Sequence, residues 1–244
     1  MQYCFTIFVK WKGDWSLNIY KVTLYSHAWN EMRNFYVDVL GFELLSQTVD
    51  GFEIKAGESV LEIKKYHHKE KPFYHFAMNI PTNLFASAKA WAKSKVELTR
   101  EEDDDEVYFS FLDAQSFYFL DPSGNIVEFI SRYSVSPKSG AESFSAQSVL
   151  CISEINITTD EVRTLGNRLI SNGVPVRNGE TIREDGLNFM GEHEAGSFLL
   201  LGPRKRRWIF SDKESETFPL SLVINQHLEI SLDGEGCMEL KKVE

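Results

Sequence analysis

The segment FLDPSGNIVEF, residues 119–129, decides the fold of this chain. Its centre is typical of a turn, because Pro122 presets its φ angle and Gly124 and Asn125 tolerate positive φ. Glu128 then lies in the middle of the strand that follows, among apolar neighbours. If Glu128 is buried, its carboxylate needs a metal, a cation or a hydrogen-bond donor, whereas an edge strand would leave it in water.

Composition limits the class of protein. The chain has 244 residues, of which 43% are hydrophobic and 25% charged, as in a globular protein of one large or two small domains. A net charge of -10 argues against nucleic acid or an anionic membrane as the main partner, and no apolar run is long enough to span a bilayer. Three widely spaced cysteines favour a reducing compartment over a disulfide framework, so we expect a cytoplasmic protein.

Two βαβββ patterns follow one another along the first half of the chain. The first pattern predicts a strand at 21–25, a helix at 28–39 and strands at 42–48, 51–56 and 59–65. The second predicts a strand at 74–80, a helix from Thr82 to about Ser94 and strands at 107–112, 115–120 and 125–132. Gly41 stands where a glycine commonly ends a helix.

The remaining segments have weaker signals. Residues 1–19 are predicted to be an N-terminal extension without assigned function, either an extra edge strand or an artefact of start-site choice. Residues 133–147 are rich in Ser, Gly and Pro and are predicted to be a linker. Residues 148–244 then predict a third, incomplete βαβββ-like module. Its basic turn at 203–207 could bind a phosphate or a carboxylate, although a solvated hairpin loop is the favoured interpretation.

A pair of motifs carries a family resemblance. FYVDVLGF at 35–42, followed some 80 residues later by DPSGNIVEF at 121–129, resembles the vicinal oxygen chelate superfamily. That superfamily includes the glyoxalase I, fosfomycin-resistance, bleomycin-resistance and extradiol dioxygenase families. The resemblance covers about residues 20–132 and implies an α+β fold, in which paired βαβββ modules form an open barrel-like cup. The third, degenerate module is expected at the C-terminus.

The resemblance also implies site residues, because metal ligands in the superfamily come from the first and last strands of each module. Carried over by position, the first module offers Lys21 and Glu62, and the second offers His75 and Glu128. Side-chain alternation supports three of these independently, because Glu62, His75 and Glu128 are the polar members of strands whose other face is apolar. Lys21 departs from the family pattern, because an ammonium group cannot ligate a divalent ion.

Two interpretations of the four residues compete. In the first, Glu62, His75 and Glu128 hold Zn, Ni, Mn, Fe or Co. The protein is then a metal-dependent lyase, isomerase or transferase, in which Glu128 or Glu62 either shuttles a proton or only ligates the ion. In the second, Lys21 replaces the metal between the two carboxylates, no cofactor is bound, and the cup binds a small molecule as the bleomycin-resistance branch does.

A third interpretation makes the chain an interaction protein, in which the C-terminal module blocks the cup or mediates a homodimer. For the first two interpretations the partner is a small molecule. Several aromatic residues at 109–119 are predicted to face the cup and to favour an apolar or aromatic ligand.

Overall fold

The computed structural model describes residues 17–242, so residues 1–16 of the predicted N-terminal extension lie outside the described residues. The first module follows the predicted pattern. It consists of β1 (Ile19–Ser26), α1 (Trp29–Arg33), β2 (Glu43–Gln47), β3 (Gly51–Ala56) and β4 (Ser59–Lys65). A π-helical turn, Asn34–Val39, extends α1. Gly41 ends the helix with a φ of +82°, and the N–H of Phe42 donates to the carbonyl oxygen of Tyr36.

The second module repeats this order. It consists of β5 (His75–Asn79), α2 (Phe85–Lys93), β6 (Val107–Phe109), β7 (Ala114–Leu120) and β8 (Ile126–Arg132). The predicted turn before β8 is built around Asp121, whose Oδ1 accepts the backbone N–H groups of Ser123 and Asn125. Its Oδ2 accepts the Tyr36 hydroxyl at 2.9 Å and the Asn125 amide at 2.8 Å. The turn therefore ties the second module to the helix of the first.

The third module is shorter. It consists of β9 (Cys151–Thr158), α3 (Val162–Ser171), β10 (Asn188–Met190) and β11 (Phe198–Gly202). A meander follows, with β12 (Leu220–Ile224), β13 (Leu228–Leu232) and β14 (Met238–Lys242). The predicted linker packs along α2, where Phe144 is buried against Trp91 and Phe129. The predicted domain boundaries remain predictions.

The strands form two seven-stranded mixed sheets. Sheet A has the order β14-β13-β12-β1-β4-β3-β2, and sheet B has the order β10-β11-β9-β5-β8-β7-β6. Within each module the first and last strands are parallel neighbours. The second and third modules meet through their first strands, β5 and β9, which are antiparallel. The first strand of the first module, β1, pairs with β12 of the meander, also antiparallel. These sheets confirm the predicted α+β class with paired βαβββ modules and a cup.

The partners of the modules differ from the expectation that the first and second modules share one cup. The second module pairs with the third, and the first pairs with the C-terminal meander. Every first strand leaves the same kind of main-chain edge unpaired, so the pattern within one module does not specify which strand will cover it. In this chain those edges are covered by its own strands, β12 and β9. The predicted homodimer remains a prediction.

Two apolar clusters hold the fold together. The larger one joins one face of each sheet to the apolar sides of the helices, through residues such as Met32, Ala88 and Leu165. The smaller one lies inside the curve of sheet B and includes Tyr118, Leu200 and Trp208. Among residues 17–242, no helix has the length and apolar character needed to cross a membrane.

Candidate metal centre in the cup of sheet B

His75 and Glu128 are brought together by the parallel pairing of β5 and β8. His75 is opposite Ile126, so Glu128 lies two residues further along the neighbouring strand, opposite Ala77, and on the same face. Nε2 of His75 is 3.4 Å from Oε2 of Glu128. Both side chains are buried, with exposed fractions of 4% and 2%. Two of the predicted site residues therefore form one buried pair.

Glu154 completes the cluster from the third module. It lies on β9, opposite Ala77 of β5, and is also buried. One ligand atom from each of His75, Glu128 and Glu154 lies within 4.8 Å of the other two. Glu154 was not among the predicted site residues, although a usable signal was present. Glu154 is the acidic residue in the first strand of the third module, which corresponds to the strand that carries His75.

The imidazole of His75 is oriented for ligation. Its Nδ1 lies 3.1 Å from the carbonyl oxygen of Ile126, to which it donates as Nδ1–H. This bond leaves Nε2 facing Glu128, so Nε2 donates to that carboxylate when it carries a proton and presents its lone pair when it does not. A lone pair on Nε2 beside a hydrogen-bonded Nδ1–H is the arrangement that metal-binding histidines adopt. The indole of Trp208 packs on the ring, with centroids 4.6 Å apart, and limits its rotation.

The two carboxylates are in different electrostatic environments. Burial raises the pKa of Glu154 to about 7, and the nearby Arg132 guanidinium only partly opposes that effect. Burial also acts to raise the pKa of Glu128, but the hydrogen bond and charge of His75 outweigh it and lower the pKa. Oε1 of Glu128 is buried without a hydrogen-bond partner among the described residues. Such an orphaned buried oxygen has lost its water without a replacement, which costs free energy.

Arg132 supplies a cation at the end of β8. Its guanidinium contacts Glu154 directly, and it donates to Ser153 Oγ at 3.0 Å and Asn79 Oδ1 at 3.4 Å. Its side chain is only 1% exposed. One imidazole nitrogen and two carboxylate oxygens form a donor set that fits a divalent transition-metal ion.

The strand register explains why three ligands are present instead of four. Glu154 is opposite Phe198 of β11, so the position that corresponds to Glu128 in the second module is Leu200. Leu200 is an apolar residue, 1% exposed, and lines the cup. A site with three protein ligands keeps a coordination position open, as catalytic metal sites do.

The cup above the cluster is small and mostly apolar. Its cavity has a volume of about 200 Å³. Besides the cluster itself, the lining residues are mainly aromatic and aliphatic, and comprise Phe109, Phe111, Leu112, Tyr118, Ile130, Leu187, Phe189, Leu200, Trp208 and Ile209, with Arg206 as a further charged group. A second groove, of about 860 Å³, shares no lining residue with the cup, and its lining at 97–102 and 207–213 includes several charged side chains. The cup is the better small-molecule site because apolar walls and convergent polar groups occur together.

Lys21 and Glu62 lie in sheet A and not in this cup. Lys21 is opposite Val60, and Glu62 lies two residues further, opposite Thr23, so the pair repeats the register of His75 and Glu128. The ammonium of Lys21 is 3.2 Å from Glu62 and 2.6 Å from Glu53. The predicted contact between Lys21 and Glu62 therefore forms, but the single four-residue cluster does not. Because the first and second modules are in different sheets, the third member of the cluster is Glu154, at the position that corresponds to Lys21, and not Glu62.

Comparisons with known proteins bear on the same segments. Residues 19–129 match the family model described as the glyoxalase/bleomycin resistance protein/dioxygenase superfamily, which confirms the predicted resemblance. Residues 152–206 match the model described as toxoflavin-degrading enzyme. A search of curated proteins found no match.

Solved structures with similarity to the chain cover about half of it. A lactoylglutathione lyase from Agrobacterium tumefaciens is 19% identical over 46% of this chain and 92% of its own, with a TM-score of 0.38. A glyoxalase family protein from Enterococcus faecalis is 22% identical over 46% and 96%, with a TM-score of 0.39. An integron cassette protein from the mobile metagenome of a Halifax Harbour sewage outfall is 20% identical over 47% and 97%, with a TM-score of 0.41.

Proposed function

Because residues 19–129 of this chain match the family model of the glyoxalase/bleomycin resistance protein/dioxygenase superfamily, we propose that the cup of sheet B is a metal-dependent active site for a small molecule. His75, Glu128 and Glu154 hold one divalent ion at its floor. The orphaned Oε1 of Glu128 carries this proposal, because a buried carboxylate oxygen without a donor is satisfied by a cation. The reaction class is that of a lyase, isomerase or transferase.

When bound, the ion supplies Lewis-acid stabilisation of negative charge on substrate oxygens. Residues of the chain exclude water, position the ligands and transfer the proton. The apolar walls exclude water, which strengthens every electrostatic interaction at the floor. Arg132 holds the carboxylate of Glu154 in place, and the carbonyl of Ile126 holds His75. Glu128 is the residue that we assign to proton transfer, since it offers one carboxylate oxygen as a ligand and keeps the other for a proton.

The match of residues 152–206 to a toxoflavin-degrading enzyme model is compatible with this proposal. That segment contributes Glu154, Leu200 and Arg206 to the cup. We infer from the match only that degradation of a small molecule is the kind of activity that this half of the cup supports.

Metal content tests the proposal. Protein purified without chelator is assayed for Mn, Fe, Co, Ni and Zn, alongside the variants Glu128→Gln and Glu154→Gln. The control is Glu62→Gln, which changes the corresponding position in sheet A. We expect a stoichiometric ion in the wild type and in Glu62→Gln, and background levels in the other two.

Chelation gives a second readout that does not depend on activity. Removing the ion should lower the unfolding temperature, since an ion at 100 times its Kd stabilises the native state by about 2.7 kcal/mol. If wild-type protein incubated with each of the five metals binds none, or if Glu62→Gln loses the ion as well, the assignment of the centre fails.

A metal-free binding protein is the second candidate, and Arg132 is the observation that favours it. Its guanidinium already pairs with Glu154, which is the role predicted for Lys21. Such a site would bind its ligand without metal chemistry. The discriminating variant is Arg132→Met: an ion that is absent from the wild type but present in this variant supports the metal-free function.

A further inference from the structure

The basic turn at 203–207 presents one arginine to the cup and turns the others away from it. Arg207 pairs with Glu101, and Arg204 donates to Thr217 at 2.9 Å and lies 3.5 Å from Asp160. Arg206 instead lines the same cavity as the metal-binding cluster. The favoured prediction of a solvated loop therefore does not describe this residue.

Arg206 is held in place by contacts that do not include an ion-pair partner among the described residues. Its guanidinium carbon lies 3.9 Å from the centroid of the Trp208 ring. Its backbone N–H donates to Ser215 Oγ at 3.0 Å, and its Nη1 reaches only the carbonyl oxygen of Arg207, at 3.3 Å. Within residues 17–242 it makes no ion pair, and its Nη2 is buried without a hydrogen-bond partner.

An unpaired guanidinium donor in an apolar cavity needs an acceptor. Burial lowers the pKa of Arg206, which shows that its charged form is poorly solvated where it lies. The planar fork of a guanidinium matches a carboxylate or a similar anionic oxygen. Trp208 contacts both Arg206 and His75, so this indole links the cation to the metal-binding cluster.

We propose that Arg206 is a specificity-determining residue that selects a small, planar, anionic substrate, whose anionic oxygen it binds while the ring of the substrate packs against the apolar walls of the cup. The inference rests on the proposed function of the cup. The size of the cavity, about 200 Å³, supports it, because an apolar cavity of roughly 150 Å³ accepts a benzene ring. One ring with an anionic substituent is therefore the substrate class.

Benzoate and benzamide are a suitable pair of probes, because they have the same shape and differ in charge. Their binding to the full chain is measured by isothermal titration calorimetry, in metal-free and Mn-loaded protein. We expect wild-type protein to bind benzoate at least about ten-fold more tightly than benzamide in both states, the lower bound for a hydrogen bond to a charged group.

Three variants complete the test. Arg206→Gln should remove the preference for benzoate, and Arg206→Lys should keep part of it. Arg204→Gln, on the same turn but turned away from the cup, should leave the preference unchanged. Circular dichroism and Mn stoichiometry on the same samples report folding and the metal centre.

Three outcomes overturn the inference: equal affinities for the two probes, no benzoate binding to the wild type at millimolar concentration, or an unchanged preference in Arg206→Gln. If the wild-type protein does not bind Mn, the proposed metal centre fails, and that result is separate from the test of Arg206. Mn binding without charge selectivity would leave the proposed function intact and remove only the role of Arg206.

Discussion

Asp121, in the turn that decides the fold, allows a quantitative test of how burial competes with hydrogen bonding. Its carboxylate is buried and accepts four hydrogen bonds, from Tyr36, from the side chain and backbone of Asn125, and from the backbone of Ser123. Burial nevertheless raises the pKa of Asp121 from 3.8 to about 6, against the effect of these donors. The folded protein therefore binds a proton on Asp121 more tightly than the unfolded chain does.

The sign of the effect follows from that difference. The stabilising contribution of protonated Asp121 is fully present below the unfolded pKa of 3.8 and is lost as the pH rises through about 6. A difference of about two pKa units corresponds to about 3 kcal/mol, since one unit is about 1.4 kcal/mol. Between about pH 4 and pH 7 we expect roughly 2 kcal/mol of this change, because part of the transition lies below that window.

The assay is urea unfolding of wild-type protein and of Asp121→Asn over this pH range. The variant cannot ionise at position 121, so the difference in unfolding free energy between the two proteins isolates the titration of Asp121. That difference should decline by roughly 2 kcal/mol as the pH rises. Asp233→Asn is the control, since Asp233 also accepts two backbone N–H groups in a turn but is exposed to solvent. It shows the effect of replacing a turn aspartate that is not buried.

A difference that stays constant with pH would refute the reasoning. A difference that grows with pH would show that the four donors outweigh burial, which would place the folded pKa below 3.8.

Three further predictions concern a contact between modules and the metal centre itself. Gly57→Ala would place a Cβ 2.1 Å from a backbone carbonyl oxygen at a φ of +64°, so urea unfolding should show a loss of about 2 kcal/mol or more. Leu200→His adds a ligand at the fourth position, so metal affinity, measured by competition with a chromophoric chelator, should rise about ten-fold or more. The control Leu199→His, on the opposite face, should destabilise the protein without that gain. In metal-free protein at a pH well above 7, Arg132→Met should cost about 3–5 kcal/mol, because Glu154 must then either stay charged without its cation or take up a proton on folding. Adding Glu154→Gln should recover part of the loss in the same unfolding assay, and no recovery would show that the two side chains are not coupled.

Local pattern was sufficient for much of this architecture. The alternation around His75 and Glu128 placed both on the polar side of their strands, and the structure brings them together because the first and last strands of a module are neighbours. The turn around Asp121 and the helix end at Gly41 could likewise be predicted, because both depend on the conformational preferences of a few adjacent residues. The same register argument holds within the first module, where Lys21 meets Glu62.

The partner of each module was decided only in the tertiary structure. Which first strand pairs with β5 determines whether Glu62 or Glu154 joins the cluster, and the answer is β9, which brings Glu154. The path of the basic turn was also not predictable, because its arginines differ in surroundings and not in type. The physical reason is common to both cases. Main-chain strand edges offer the same hydrogen-bonding groups whatever their sequence, so the choice among them depends on burying side chains of the whole chain at once.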